Sequence, residues 1–497
     1  MIRLRRTIIK NSIANIVRGS SSAVVALVLP HFLTHALDHD RFAAWALMLQ
    51  IAGYANYLDF GLQTAVARYL AQSIERGDEE SRDRLISTAF LMLSAGGLFA
   101  LMISAVVLAY LPQLFPHIPT SLLFEIRGGI LVLSLSTAVL FPLSAFTGAL
   151  IGICRNEIPA ISMGTSRLLG AIFVSVIVTH THSLIILAAL MGGFNLAGGL
   201  LQLAFARRLL PNMRVSISRA SLATAREFTR YCSTLTIWSL SMLLVSGLDV
   251  TIVGHYSFSE VGAYSIAAIL IAFLAGINNS IYGAMLAPLA VLEERGEWQR
   301  IGNLIVTVTR FTTFFDFGCV LGAVLFGHWF LQLWVGDTYA AKAQQILMIL
   351  IIANSIRLVG VPLSAALVAT NQQHYGISGS IVEGLTNFSL SIPGAILIGS
   401  IGVAFATLIG AIISILWVVL FTIGRLRIQL VSRRNLLLEG CLRPALCLSP
   451  AFLCVVAWQA LSLPVWRSLG LPAGLVLTLA ATWRWGQMGN SHSGSVA

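Results

Sequence analysis

Apolar residues run along this chain in long unbroken blocks, not in the narrow stripes of a soluble helical protein. About 20 predominantly apolar residues make a helix long enough to cross a bilayer. Blocks of that kind fall at 11–37, 42–72, 85–111, 122–152, 158–180, 183–206, 231–256, 261–290, 301–326, 341–370, 376–398, 401–424, 437–461 and 468–484. The pattern predicts an all-α polytopic membrane protein of about fourteen transmembrane helices. The last block is the shortest, and Pro472 interrupts it.

Composition agrees. Of the 497 residues 57% are hydrophobic and 10% charged, with a mean hydropathy of +0.85. A soluble domain carries about 25% charged residues, so the apolar surface here must face lipid. The formal net charge of +11 would suit a nucleic-acid ligand, but the positions of the charges exclude one. With the N-terminus in the cytoplasm, twenty-one basic residues fall in cytoplasmic segments and four (Arg41, Arg127, Lys342, Arg467) on the other side. That is the positive-inside rule of an inner-membrane protein. The start, Met1-Ile2-Arg3-Leu4-Arg5-Arg6, reads as the cytoplasmic end of an uncleaved first helix, because Arg18 interrupts the segment that follows.

Chemistry is sparse. The six cysteines have no metal-ligand spacing, and His180 and His182 are only a lone pair in a short outward loop, so no metal is expected. No Gly-x-x-x-x-Gly-Lys-Ser/Thr loop exists to cradle a nucleotide. No catalytic constellation, and hence no enzyme and no cofactor, is expected.

The chain repeats itself. A shift of 219 residues lays 20–89 on 239–308 without a gap. Glu75-Arg76-Gly77-Asp78 then meets Glu294-Arg295-Gly296-Glu297, Leu70-Ala71 meets Leu289-Ala290, and Phe42-Ala43-Ala44-Trp45 meets Val261-Gly262-Ala263-Tyr264. Both copies start on the same side of the membrane, so they are parallel repeats. The expected organisation is a six-helix lobe over 1–206, a basic cytoplasmic linker over 207–230, a second six-helix lobe over 231–424, and an appended helix pair with a tail over 425–497.

Within this repeat, Asp249-Val250-Thr251-Ile252-Val253-Gly254 followed by Glu260-Val261-Gly262-Ala263-Tyr264 resembles the start of the second lobe in polysaccharide flippases. Leu58-Asp59-Phe60-Gly61-Leu62 with Ala67-Arg68-Tyr69 resembles the first lobe of the same family, the Wzx-type O-antigen and exopolysaccharide flippases. Their superfamily also holds multidrug and toxin extrusion transporters and lipid II flippases. The resemblance implies two lobes around a central cavity. It further implies alternating access, with an undecaprenyl-diphosphate-linked oligosaccharide as substrate and membrane lipids as surroundings. A polysaccharide polymerase and chain-length machinery are the implied partners. A cation-coupled multidrug exporter of the same fold is the alternative. A membrane polymerase or acyltransferase is disfavoured by the short outward loops.

Ionisable groups within spans are costly and therefore functional candidates. Arg18, Arg68 and Arg310 each lie about ten residues or fewer, about 15 Å at most, from the cytoplasmic end of a span. Arginine suits a diphosphate geometrically, and these three are the candidates to receive one. Asn15 shares the Arg18 face of the first helix. In the second, Asp59 and Gln63 fall under the repeat on Asn278 and Tyr282, which are also polar and are the candidate sugar contacts; the face of Tyr54 and Arg68 is the alternative. Asp249, Asp316 and Glu383 are candidate ion-coupling carboxylates, with a structural Arg357–Glu383 pair as the other reading for Glu383.

Overall fold

The computed structural model describes residues 24–59, 61–370, 372–426 and 431–461. Among the described residues there are helices and turns but no strand. This is the expected all-α class. A helix satisfies its own backbone hydrogen bonds, which hydrocarbon cannot do for it. Eleven of the helices are long and apolar enough to cross a membrane. The chain is therefore a multi-pass membrane protein.

Those eleven coincide with eleven of the fourteen apolar blocks. Of the other three, the block at 468–484 lies outside the described residues, and only α1 (Val24–Ala36) is described of the first. The second, 42–72, is not one helix. It runs as α2 (His39–Gly53), a 3-10 segment (Tyr54–Asp59) and α3 (Leu62–Glu75), with Gly61 between them at φ 76°. A left-handed residue stops a helix, and glycine takes that conformation without steric cost. A face counted at 3.6 residues per turn from residue 50 to 68 is thus interrupted.

Helix ends follow local chemistry. Asp78 caps α4 (Glu79–Ala109), its carboxylate accepting from Ser81 N at 2.9 Å, and Glu79 and Glu80 lie in the first turn, where the helix dipole favours anions. The matched turns of the repeat adopt one conformation. Gly77 and Gly296 sit at φ 68° and 69°, and Asp78 N→Ser73 O and Glu297 N→Leu292 O close the same wide turn at 3.1 and 2.9 Å. Trp45 and Tyr264, matched by the same shift, are both almost wholly buried.

The hydrophilic stretch 222–230 is helical, forming the start of α5 (Leu222–Met242). The loop before it is stitched to α4. Arg82 donates to Asn212 O at 2.9 Å, Arg219 pairs with Asp83 at 2.8 Å, and Ser221 N donates to Thr88 Oγ1 at 3.0 Å.

Contacts divide the described residues into two compact units. One comprises the described parts of 1–276, 334–346 and 384–407; the other comprises those of 277–333, 347–383 and 408–497. The first unit has a core of Leu62, Val66, Leu93, Phe141 and Phe228, among others, and a second around Leu70, Ile86, Phe146 and Leu150. The core of the second unit includes Tyr282, Leu289, Ile305, Leu363 and Leu436.

Small residues let backbones approach where apolar packing alone drives association. Gly399, at φ 64°, is the whole turn between the helices Gln373–Ile398 and Ser400–Trp417. Beside that turn Gly394 and Gly402 meet backbone to backbone. A Cβ on Gly394 would lie 2.7 Å from Gly402 O, and one on Gly402 would overlap Gly394 O. Gly193 in the helix Leu184–Leu209 has nothing within 4 Å of such an atom. Gly402→Ala should therefore lower the thermal midpoint of the detergent-purified protein by several degrees, a cost of about 1–3 kcal/mol or more. Gly193→Ala should leave it unchanged. Equal midpoints for all three proteins would contradict the close crossing.

Candidate functional site

Polar side chains buried in apolar helices form one cluster in each unit. In the first unit the chain runs from α5 through a π-helical turn (Leu243–Gly247) into α6 (Asp249–Tyr256). A π-turn releases backbone groups from the regular ladder, and such turns often occur at functional sites. Here the released carbonyls are taken up by side chains. Gln50 donates to Gly247 O at 2.5 Å, and Asn387 Nδ2 donates to Val245 O.

The same turn presents Asp249, which is buried. Its carboxylate accepts from Tyr264 at 3.0 Å, from Thr407 at 3.3 Å and from Asn387 at 3.4 Å. Ser391 donates to Asn387 Oδ1 at 2.8 Å and so orients the carboxamide. Tyr54 and Thr251 share a hydroxyl–hydroxyl bond one turn away. An acid, an amide and five hydroxyls thus gather inside the first unit. Oxygen-rich surroundings of this kind suit a hard cation or a proton.

In the second unit Asn278 donates to Asp316 at 2.8 Å, and both are fully buried. Tyr282 donates to Leu358 O at 3.2 Å and lies 3.5 Å from Asn278 Oδ1. Arg357 and Glu383 form an ion pair at 2.5 Å, with the carboxylate side chain only 4% exposed. The pair leaves Arg357 Nη2 without a hydrogen-bond partner among the described residues. Asn354 Nδ2, Thr309 Oγ1 and Thr313 Oγ1 are in the same position. Buried polar atoms normally find partners, so this unit holds hydrogen-bonding capacity that its described side chains do not use.

The predicted arginines are placed differently from one another. Arg310 is half-buried and pairs with Glu439 at 3.1 Å, and Glu439 also takes Arg443 at 2.6 Å. Arg68 is exposed on α3, with its guanidinium 5.1 Å from the centre of the Tyr231 ring and 6.0 Å from that of Tyr69. Gln63 lies on α3, half-buried. Asp59 ends the 3-10 segment, and of it only the backbone is described. Asn15 and Arg18 lie outside the described residues.

Sequence reasoning named Asp249, Asp316, Asn278, Tyr282 and Glu383 but missed Thr407, Ser391 and Glu439. No local signal marks those three. They acquire meaning only from partners 129 or more residues away or, for Ser391, through Asn387. A cleft of about 1090 Å³ also opens beside the start of α4, lined by Glu79, Glu80, Asp83, Arg84, Arg214 and Arg219 among others. Its three carboxylates are each matched by an arginine, Glu80 by Arg84, Asp83 by Arg219 and Glu79 by Arg82. It is not the cationic surface a diphosphate requires.

Comparison with known proteins agrees with this architecture. The structure is similar to a lipid II flippase in its inward closed conformation, with a TM-score of 0.73 and 14% identity over 96% of this chain and 99% of that one. It is also similar to an inward-facing multidrug resistance transporter of the MATE family, with a TM-score of 0.66 and 14% identity over 81% and 97%. At that identity the likeness establishes the fold. A protein named as an O-antigen transporter in Shigella flexneri is 34% identical over 100 residues, spanning 20% of this chain and 23% of the relative. The model of the family described as polysaccharide biosynthesis protein matches residues 8–291, more than half of the 497. The chain belongs to that polysaccharide biosynthesis family.

Proposed function

We propose that the protein flips an undecaprenyl-diphosphate-linked oligosaccharide across the bacterial inner membrane by alternating access, for surface or exopolysaccharide synthesis. The observation that carries the reading is the unused polar capacity inside membrane-length helices, namely Arg357 Nη2, Asn354 Nδ2 and the Thr309 and Thr313 hydroxyls. A sugar chain offers hydroxyls to such groups. The chain's family and its likeness to a lipid II flippase support the same substrate class.

In this reading the two six-helix lobes are 1–206 and 231–424, joined through 207–230, and the N-terminus is cytoplasmic. Arg18, Arg68 and Arg310 receive the diphosphate from the cytoplasmic side. Asn15, Asp59, Gln63, Asn278 and Tyr282 meet the sugars, and the polymerase and chain-length machinery take the product. The protein works as a transporter, without cofactor or bond-breaking chemistry.

Asp249, Asp316 and Glu383 are the candidate coupling carboxylates, and their surroundings separate them. Glu383 has a cationic partner in Arg357, whereas Asp249 sits among hydroxyls and an amide. A cation or proton bound at Asp249 in one state and released in the other would bias alternation. The likeness to MATE transporters favours a second reading, a cation-coupled multidrug exporter. Disrupting the gene separates the two. Lost surface polysaccharide supports the flippase, and raised drug sensitivity with polysaccharide intact supports the exporter.

Two predictions follow from these assignments. Replacing Arg18, Arg68 and Arg310 together by glutamine should abolish polysaccharide export, scored on the cell surface, with the protein still present in the membrane; undiminished export would remove the diphosphate role. Asp249→Asn preserves size but removes the charge and turns one of the two acceptor oxygens into a donor. In proteoliposomes it should abolish the dependence of the initial transport rate on Na⁺ or pH gradients. A variant as gradient-dependent as the native protein would rule out coupling at Asp249.

A further inference from the structure

His31 and His35 stand four residues apart on α1, so they share one face, with ring centres 4.6 Å apart. Each ring is held by its Nδ1. His31 Nδ1 lies 2.6 Å from Trp334 O, and His35 Nδ1 lies 2.7 Å from His31 O. A carbonyl oxygen only accepts, so both Nδ1 atoms carry the proton and both Nε2 atoms keep a bare lone pair. Binding of Nδ1–H to a carbonyl is how proteins fix the tautomer and orientation of a metal-ligating histidine. The spacing is also that of the two metal-binding histidines on a helix in H-E-x-x-H sites. His35 is exposed and His31 half-buried, so protein does not enclose the pair.

We infer that His31 and His35 form a bidentate site for a late first-row divalent cation, Cu²⁺, Zn²⁺ or Ni²⁺, ligated through the two Nε2 atoms. Imidazole selects these ions over Mg²⁺ and Ca²⁺, which prefer oxygen. Among the described residues no group of three or more His, Cys, Asp or Glu side chains assembles as a metal cage. In this assignment the two imidazoles are the protein ligands, and water fills the remaining positions. The position gives the site a consequence. His31 ties α1 to the Trp334 carbonyl, and Trp334 Nε1 donates back to Leu27 O at 2.6 Å. A cation on His31 Nε2 withdraws electron density from the ring and strengthens its Nδ1–H as a donor. Metal binding should tighten this double tie between α1 and the chain at Trp334.

The probe is Cu²⁺, which stands highest in the affinity order for such donors and reports its nitrogen ligands in pulsed electron paramagnetic resonance. The experiment uses full-length protein without a polyhistidine tag, in nanodiscs. One Cu²⁺ per chain with the signature of two coupled imidazoles is expected. His35→Gln should leave one imidazole and weaken binding by more than the about 10- to 100-fold that losing a ligand's hydrogen-bond partner costs. Because the His35 ring bonds only within its own helix, folding should survive, as an unchanged thermal midpoint in chelator will show. His180→Gln with His182→Gln should bind as the native protein does. Absence of a stoichiometric site overturns the assignment, as does a His35→Gln protein with native affinity or two imidazoles.

Discussion

An ionised side chain inside a membrane-length helix has no water to stabilise it, and the structure is organised around that constraint. Moving one such ion into a medium of low dielectric costs on the order of 20 kcal/mol in the idealised limit and several after relaxation. Each buried charge must therefore be met by protein. Glu383 is met by Arg357 at 2.5 Å, and Asp249 by Tyr264, Asn387 and Thr407. A well-packed apolar replacement of a buried pair is often neutral or more stable by about 1–4 kcal/mol. Stability alone gives no reason to keep these groups. The proposed transport path through the bilayer supplies one.

The class of fold was legible because one signal dominates: apolar length. Where that signal was read through a local exception, it misled. The block 42–72 is apolar enough for one helix, yet Gly61 takes a left-handed turn after a 3-10 segment, so the polar residues on its two sides belong to different helices. The Asp-Phe-Gly sequence was visible. Its conformation was not, because a glycine within a helix and a glycine that ends one look alike in sequence. The block 341–370, expected as one helix, is likewise two, Asp337–Leu358 and Val361–Ala369, with Pro362 in the first turn of the second, where proline is tolerated.

The site was half legible. Buried carboxylates announce themselves, because a charge in an apolar block needs a reason. Their partners do not, because Thr407 and Ser391 are unremarkable small polar residues until the fold places them near Asp249 and Asn387. Arg310 shows the same limit. Its pairing with Glu439, 129 residues on, joins a candidate phosphate ligand to a carboxylate that periodicity could not have linked to it. The two turns that the shift matches agree, since a turn is a local object. Gly77 and Gly296 adopt the same angles and the same closing bond.

A transport path makes one demand that a solid helical bundle does not: its polar groups must meet water and substrate in turn. Thr313 and Asn354, both buried with an unused polar atom, are the places to ask. Single cysteines there, in a protein stripped of its six native cysteines, would be challenged with a membrane-impermeant maleimide in sealed vesicles of known orientation. Labelling from one side, slowed by added lipid-linked oligosaccharide, is the expected result. Cysteines that stay inert from both sides, or react at a rate indifferent to the oligosaccharide, would contradict the account.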